Sequence, residues 1–286
     1  MSKIAIAGLQ LEAINGNNLD SMETEIDALA KRFPWVDMVL LPELNALGTG
    51  QKAAQPMPGP FETRFSKIAR RNDIWLIPGS IVEKQAGKLY NTTPVINPDG
   101  EVIARYRKQF PWCPYEKNMT AGSEFVVFEV PGVGKFGISI CYDMWFPETL
   151  RTLTCMGAEV ILHPSLTSTI DRNAEHAIVQ ASAAMFQCYF FDVNVAGPLG
   201  VGQSIIAGPG GELIYKADKG REIIPLKLDL EYVRDVRAAG WNNLGQPLKS
   251  FRDSNVRFPP YSEGYTSEYL ESLGPLQIPE SYRRNK

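Results

Sequence analysis

The sequence predicts an α/β fold in a single domain, in which helices cover the outer faces of β layers. Two observations lead to this prediction: strand-like and helix-like hydrophobic patterns alternate along the chain, and no long linker interrupts them. The length of 286 residues is enough for one large domain or two small ones. Because the chain becomes loop-like and rich in proline after Gly240, we expect a domain over residues 1–240 and an extension over residues 241–286.

The first part of the chain alternates strands with helices. Apolar runs predict strands at residues 3–10, 36–41 and 74–77. Apolar residues spaced to cover one helix face predict helices around residues 22–33 and 61–69, between these strands.

The middle of the chain becomes antiparallel. The turn sequence Asn97-Pro98-Asp99-Gly100 joins β runs at residues 93–96 and 102–106. A second turn, which contains glycine, joins the runs at residues 125–130 and 136–140.

The last part returns to helices and ends in hairpins. A helix over residues 147–156 precedes a strand at 160–162, and the longest helix, over 172–187, precedes a strand at 189–195. Further β runs separated by glycine-rich turns predict strands at residues 204–207, 212–215 and 222–228.

The composition is ordinary for a globular enzyme and excludes several function classes. Apolar residues make up 44% of the chain and charged residues 21%. A net charge of −3, with only a short basic tail at residues 283–286, argues against a nucleic-acid or membrane partner. The N-terminus has no signal-peptide pattern, and no segment has the roughly 20 apolar residues that span a bilayer. Four widely spaced cysteines and only two histidines argue against a structural zinc site, and this cysteine usage predicts a cytoplasmic location. We expect no metal and no cofactor.

A candidate nucleophile lies where the apolar run before Cys141 ends and Pro147-Glu148 opens a helix. A thiol at such a corner is well placed for thiolate chemistry. Backbone N–H groups at a helix N-terminus lower a thiol pKa and can hold an oxyanion. The alternative is a buried structural cysteine, so the role of Cys141 depends on what accompanies it.

Two charged residues at other strand ends are candidate partners of Cys141. Glu43 follows a buried strand, where desolvation raises a carboxyl pKa toward use as a general base. Lys108 ends a hairpin strand, and its charge would favour the thiolate. Taken alone, the first could be a cap and the second a surface lysine. His163, at a strand end, is an alternative base, whereas His176 lies within a helix and is expected to be structural or exposed.

Three motifs, in order, resemble the Glu-Lys-Cys signature of the nitrilase (carbon–nitrogen hydrolase) superfamily: Pro42-Glu43, Tyr106-Arg107-Lys108 and Cys141-Tyr142-Asp143. The resemblance covers nearly the whole chain and includes Phe146-Pro147-Glu148 and Met156-Gly157-Ala158-Glu159. It implies a four-layer αββα sandwich whose subunits pair through helices into an eight-layer αββα-αββα assembly.

The resemblance also implies residue roles. Glu43 would be the general base and acid, Lys108 the oxyanion stabiliser and Cys141 the nucleophile. The segment from Lys108 to Gly122 resembles aliphatic amidases and puts the family's second glutamate at Glu116, where it would position the substrate and the attacking water. Tyr142-Asp143 is similar to the amidase and carbamoylase branches, whereas true nitrilases usually have Trp-Glu there. Leu44-Asn45 departs from aliphatic amidases, which carry an aromatic residue after the first glutamate.

The resemblance therefore predicts a cysteine-dependent amidase that converts a small neutral or weakly polar amide into an acid and ammonia through a thioester. An N-carbamoyl amine hydrolase or a nitrilase with the same residues is the alternative, and a non-catalytic scaffold a more distant one. We expect the Tyr142 backbone N–H to assist the oxyanion. Trp145 and His163 are candidate substrate contacts, with Trp112 and Tyr115 as further pocket walls. A homodimer or higher homo-oligomer is expected, in which the extension packs on its own domain or on a neighbour.

Overall fold

The computed structural model describes residues 2–113 and 115–277, and within them the chain folds into two β-sheets with helices on their outer faces. The elements, in chain order, are β1 (Lys3–Gln10), α1 (Leu19–Arg32), β2 (Met38–Leu40), α2 (Pro60–Asn72), β3 (Trp75–Ile77), β4 (Ile81–Gln85), β5 (Lys88–Ile96), β6 (Val102–Arg107), β7 (Val126–Val130), β8 (Gly134–Ile138), α3 (Pro147–Cys155), β9 (Val160–Ser165), α4 (Arg172–Phe186), β10 (Tyr189–Asn194), β11 (Ile205–Ala207), β12 (Leu213–Lys216), β13 (Glu222–Asp229), α5 (Leu230–Ala239), α6 (Pro247–Asp253) and α7 (Glu268–Ser272).

The two sheets have similar plans, with parallel strands in the middle and antiparallel strands outside. The first has the order β13-β1-β2-β3-β5-β4, with β6 also paired to β5, and its parallel strands are β1, β2 and β3. The second has the order β12-β11-β10-β9-β8-β7, and its parallel strands are β8, β9 and β10. The loop that follows β2 meets the end of β9 in the other sheet, where the Glu43 N–H donates to the Ser165 carbonyl at 3.3 Å.

The layers follow from the two-residue period of the strands. Ile4 and Ile6 of β1 lie in the core between the sheets, whereas Ala7 and Leu9 pack in a second core with α1 and α2. On the other sheet, Phe190 belongs to a third core that contains residues of α3 and α4. Because strands buried on both faces need apolar residues at every position, these strands appear in the sequence as continuous apolar runs.

The predicted strands and the four predicted helices all form, with differences at their ends. The sequence patterns missed α5, which Asp229 caps by accepting a hydrogen bond from the Glu231 N–H at 3.1 Å. The buried residues of α5 are three apart: Leu230, Val233 and Val236. The first two complete the core between the sheets. None of the helices in the described parts of the chain is long and apolar enough to cross a membrane.

The segment after Gly240 contains the short helices α6 and α7 within the predicted loop-like extension. This segment touches the helical layer of the second sheet. Arg151 of α3 lies over the Phe251 ring at 4.5 Å, and the Tyr261 hydroxyl donates to Glu148 at 2.6 Å. Residues 278–286, which include the basic tail, lie outside the described residues.

Candidate active site

Two of the predicted catalytic side chains contact the ammonium group of a third. Lys108 Nζ lies 2.9 Å from Glu43 Oε1 and 2.8 Å from Glu116 Oε2. Glu43, Lys108, Glu116 and Cys141 all line the same cavity, which has a volume of about 490 Å³. Residues separated by almost a hundred positions in the sequence therefore form one charged cluster beside a thiol.

The loop after β2 fixes Glu43. Gly79 has a φ of +74°, and a Cβ at this position would lie 1.9 Å from the Pro42 carbonyl oxygen. Only glycine allows the chain to pass this close to the Pro42-Glu43 peptide in a left-handed conformation. The Ser80 hydroxyl then accepts a hydrogen bond from the Leu44 N–H at 3.1 Å, which holds the loop from the side beyond Glu43.

Asn91 holds the two glutamates and the lysine together, and the sequence analysis gave it no role. Its side-chain amide donates to Glu43 Oε1 at 2.7 Å and to Glu116 Oε1 at 3.4 Å. Its carbonyl accepts from the Lys108 N–H at 2.9 Å. The signal was present in the hairpin, because the antiparallel register Thr92↔Arg107 puts Asn91 beside Lys108.

The loop that carries Glu116 folds back over Lys108. Glu116 Oε2 accepts a hydrogen bond from the Trp112 N–H at 2.5 Å in addition to its contact with Lys108. Trp112 stacks on Tyr115 with ring centroids 4.3 Å apart. Pro114, which is part of the amidase-like motif, lies outside the described residues.

Cys141 occupies a sharp turn. It begins the short 3₁₀ helix Cys141–Trp145 and has a φ of +48°, a conformation that costs a residue with a side chain about 1–3 kcal/mol. Its Sγ lies 4.0 Å from the Leu166 carbonyl oxygen. The strand β8 ends before Cys141, so the thiol stands at the corner predicted from the sequence but on a 3₁₀ turn that precedes α3.

Asp143 clamps the Cys141 turn to the Lys108 loop. Its Oδ2 accepts hydrogen bonds from the Tyr106 hydroxyl at 2.6 Å and from the Ile140 N–H at 2.9 Å. Its Oδ1 accepts from the Phe110 N–H at 2.9 Å. Burial raises the pKa of Asp143 to about 6 despite these donors. These hydrogen bonds hold the Cys141 turn, which follows β8 of the second sheet, next to the end of β6 in the first sheet.

The electrostatics separate the roles of the two glutamates. Burial raises the pKa of Glu43 above its usual value, although Lys108 opposes this shift. Burial also acts to raise the pKa of Glu116, but the Lys108 charge and hydrogen bonds outweigh it and lower that pKa. Burial would likewise lower the Lys108 pKa, yet the negative charges of Glu43 and Glu116 raise it well above its usual value. Glu43 is therefore the carboxylate suited to receive and return a proton.

The thiol itself is not activated in the resting site. Burial raises the pKa of Cys141 well above its usual value, and the neighbouring Glu43 charge raises it further, against the opposing effect of Lys108. This finding differs from the expectation that the strand-to-helix corner lowers the thiol pKa. Because the resting sulfur holds its proton, attack by Cys141 requires a base in contact with the thiol.

The cavity walls contain most of the predicted substrate contacts. Tyr142 and Trp145 line the cavity together with Trp112 and Tyr115, and Trp145 is 38% exposed at its mouth. A further part of the wall, which no sequence pattern indicated, is built from Leu166, Thr167, Ser168, Thr169, Asp171 and Glu175.

His163 is not part of the cavity wall. It is fully buried, its Nδ1 shares a hydrogen bond with the Ser139 hydroxyl at 2.6 Å, and burial lowers its pKa to about 4. We therefore do not retain it as a substrate contact or as a base. His176 is also buried, and its Nε2 contacts the Gln203 carbonyl oxygen at 2.8 Å, which agrees with a structural role. Within residues 2–113 and 115–277, no group of three metal-ligating side chains is close enough to hold an ion.

Comparison with known proteins identifies the family. A family model for carbon–nitrogen hydrolases matches residues 3–238. The chain belongs to the carbon–nitrogen hydrolase family. The resemblance to the nitrilase superfamily inferred from the motifs is thereby confirmed, and the protein is an enzyme that acts on carbon–nitrogen bonds other than peptide bonds.

Individual relatives agree with this assignment. Omega-amidase NIT2 of Xenopus tropicalis is 31% identical over 221 residues, which cover 70% of this chain and 79% of the relative. The crystal structure of Saccharomyces cerevisiae Nit3, a member of branch 10 of the nitrilase superfamily, has 28% identity and a TM-score of 0.77, with coverage of 83% and 94%. A carbon–nitrogen hydrolase from Helicobacter pylori G27 has 26% identity and a TM-score of 0.78, with coverage of 89% and 96%.

Proposed function

We propose that this protein is a cysteine-dependent amidase that hydrolyses a small non-peptide amide to a carboxylic acid and ammonia. The observation that carries the proposal is the Lys108 ammonium held between Glu43 and Glu116 at 2.9 and 2.8 Å, in the cavity that also contains Cys141. The name of the related omega-amidase supports an amide as the substrate.

The first half-reaction forms a thioester. Glu43 accepts the thiol proton as Sγ of Cys141 bonds to the amide carbonyl carbon, and the carbonyl oxygen becomes an oxyanion. The Lys108 ammonium and the Tyr142 backbone N–H stabilise this oxyanion. Glu43 then gives its proton to the nitrogen as the carbon–nitrogen bond breaks, so ammonia leaves and the acyl group stays on Cys141.

The second half-reaction returns the enzyme to its starting state. Glu116 positions a water molecule, and Glu43 takes a proton from it as the water oxygen bonds to the thioester carbon. The carbon–sulfur bond breaks, the carboxylic acid leaves, and Glu43 returns the proton to the Cys141 sulfur. The raised pKa of Glu43 suits a group that holds and releases a proton twice in each cycle.

Ammonia release from a panel of short amides, carbamoyl amines and nitriles tests the function. Hydrolysis of amides that Cys141→Ala abolishes is the expected result. The matched control is Cys155→Ala, which removes an exposed thiol of α3 outside the cavity lining and should keep full activity. Release of carbon dioxide with ammonia would instead indicate a carbamoyl substrate, and turnover of nitriles but not amides a nitrilase. Retained hydrolysis in Cys141→Ala would reject the mechanism.

The assembly and location belong to the same proposal. Pairing of subunits through the outer helices would give the eight-layer sandwich, with residues 241–286 as an extension that packs on this subunit or its neighbour. Exposed apolar side chains in this extension, such as Leu244, Val256 and Leu270, support burial in an assembly. A cytoplasmic location agrees with the four free cysteines of the described chain. Sedimentation analysis of the purified protein tests the oligomer, since a monomer at micromolar concentration would reject it.

A further inference from the structure

The charged side chains that line the cavity are mostly acidic. Glu43, Glu116, Asp171 and Glu175 all contribute to its wall, whereas Lys108 is the sole basic residue among the described residues that line it. The two acidic residues beyond the catalytic cluster lie on the wall formed by the loop before α4 and by α4 itself. This wall is where the part of a substrate that does not react would lie.

Each buried cation near the cavity is shared by two carboxylates. Lys108 contacts both Glu43 and Glu116. Arg172 contacts Glu175 at 3.0 Å and also Asp192, so its charge is balanced behind the wall. Each of these two groups carries a net charge of about −1 when its carboxylates are ionised. Protonation of one carboxylate in each group makes them neutral, but it adds no positive charge to the cavity.

Asp171 is the carboxylate of the wall that lacks a cation. Within residues 2–113 and 115–277, no lysine, arginine or histidine forms an ion pair with it. Its Oδ2 accepts a hydrogen bond from the Thr169 hydroxyl at 2.8 Å, and the side chain is half-buried. Glu175 differs, because its two oxygens are held by Thr167 at 2.9 Å and by Arg172. Asp171 is therefore the acid that a substrate can contact without displacing a protein partner.

Aromatic rings beside the acidic wall also favour a cationic ligand. Trp112 and Tyr115 form a stacked pair at the cavity, and Tyr142 and Trp145 form a second pair, whose rings are tilted and have centroids 6.3 Å apart. The face of an aromatic ring attracts cations, most strongly for tryptophan. A cavity with an acidic wall, aromatic walls and a buried nucleophile suits a molecule with an amide at one end and a positive charge at the other.

We propose that the substrate amide carries an ammonium group, which Asp171 receives while Cys141 attacks the carbonyl carbon. This inference rests on the proposed amidase function and names the substrate class of the same site. It revises the expectation of a neutral or weakly polar amide, because the Asp171 carboxylate attracts an ammonium group and has no protein cation to displace. A carboxylate-bearing amide would instead meet only like charges on this wall.

Three amides of similar length separate charge from size: 4-aminobutanamide, pentanamide and succinamate, which are cationic, neutral and anionic at neutral pH. The expected kcat/KM for 4-aminobutanamide is about tenfold above that for pentanamide, since a hydrogen bond to a charged group contributes at least this factor. Succinamate should be the poorest of the three. Raising the salt concentration should narrow the preference, because the Asp171 side chain is partly exposed.

Asp171→Asn tests the assigned residue, because asparagine keeps a polar side chain that can accept from Thr169 but has no charge. The ratio of kcat/KM for 4-aminobutanamide over pentanamide should fall about tenfold, back toward one. The matched control is Asp235→Asn, which removes the same charge from an exposed position of α5 outside the cavity lining and should leave the ratio unchanged.

Three outcomes overturn the inference, and a fourth concerns only the proposed function. Pentanamide hydrolysed as well as 4-aminobutanamide, or an unchanged ratio in Asp171→Asn, would reject cation recognition while the amidase function stands. Calorimetric binding to Cys141→Ala measures recognition without turnover, and equal affinities for the three amides would also reject it. Failure to hydrolyse any of the three, with tighter binding of 4-aminobutanamide, would reject the amidase function but not the charge preference of the cavity.

Discussion

Replacement of Glu43 by glutamine separates the base from the structural support that Glu43 gives. In Glu43→Gln the amide oxygen can still accept from Asn91, and Lys108 keeps its contact with Glu116 at 2.8 Å. The variant should therefore fold. Because the Cys141 thiol holds its proton in the resting site, loss of the base should lower kcat about 10²–10⁴-fold.

The same variant should have the opposite effect on the thiol in the absence of substrate. The negative charge of Glu43 contributes to the raised pKa of Cys141, so its removal lowers that pKa. Alkylation by iodoacetamide, followed as a function of pH with peptide mapping of Cys141, should show a midpoint at lower pH in Glu43→Gln. A variant that forms thiolate more readily and yet hydrolyses amides far more slowly identifies Glu43 as the proton carrier.

The chain offers a matched control in Glu83. This glutamate is as buried as Glu43, and it accepts from a cation, Arg107, at 2.7 Å, but it lies outside the cavity lining. Glu83→Gln should change stability while the activity of the folded protein stays close to that of the wild type. Ammonia release by Glu43→Gln near the wild-type rate, or an equal loss in both variants, would rule out Glu43 as the proton carrier.

Three further changes test how the site is held. Asn91→Ala removes the hydrogen-bond donor to both glutamates, so kcat in ammonia-release assays should fall about tenfold or more, with a smaller effect on KM. An unchanged kcat would contradict the role of Asn91 in holding the two glutamates. Gly79→Ala should lower both stability and activity. Its control is Gly87→Ala, at a similar φ of +79° with nothing within 4 Å, which should lower the free energy of unfolding in urea by only about 1 kcal/mol. Equal losses in the two variants would contradict the close approach of Gly79 to Pro42. Folding lowers the pKa of His163 from 6.5 to about 4, so between these pH values the unfolded state binds a proton at His163 that the folded state does not. Lowering the pH through this window should therefore decrease the free energy of unfolding by about 1.4 kcal/mol per pH unit. In His163→Asn the free energy of unfolding in urea should depend less steeply on pH, and an unaltered pH dependence would contradict the lowered pKa of His163.

Most of the strands, the main helices and the predicted catalytic residues follow from the sequence because their signals are local. A strand buried on both faces must be apolar throughout, as in β1 and β10, and Glu43 and Lys108 directly follow such strands or hairpins. The family resemblance then connects these separate strand ends with Cys141. No local pattern shows that Glu43 and Glu116 share Lys108, because this contact depends on the strand order of the first sheet, which contains both β2 and β6, and on the fold of the loop after β6.

The missed features depend on register and on long-range burial. Asn91 owes its role to the hairpin register, which a bulge between Val95 and Ile96 shifts by one residue. Position alone made His163 a candidate for the cavity, yet the side chain of this strand residue contacts Ser139 within the sheet layer. The thiol pKa was expected to fall because helix N-termini favour thiolates, but full burial and the Glu43 charge have the larger effect here. Asp171 and Glu175 precede or begin a helix and look like ordinary polar positions in the sequence.

Acylation of Cys141 during amide hydrolysis is the step on which the proposed mechanism depends. The most direct measurement is acid quenching of the enzyme during turnover of a short amide, followed by mass spectrometry of the protein and mapping of its peptides. The expected result is a mass increase equal to one acyl group, less the displaced proton, on the peptide that contains Cys141, and no such increase in Cys141→Ala. An acyl group on another residue, or ammonia release at the wild-type rate by Cys141→Ala, would contradict the mechanism.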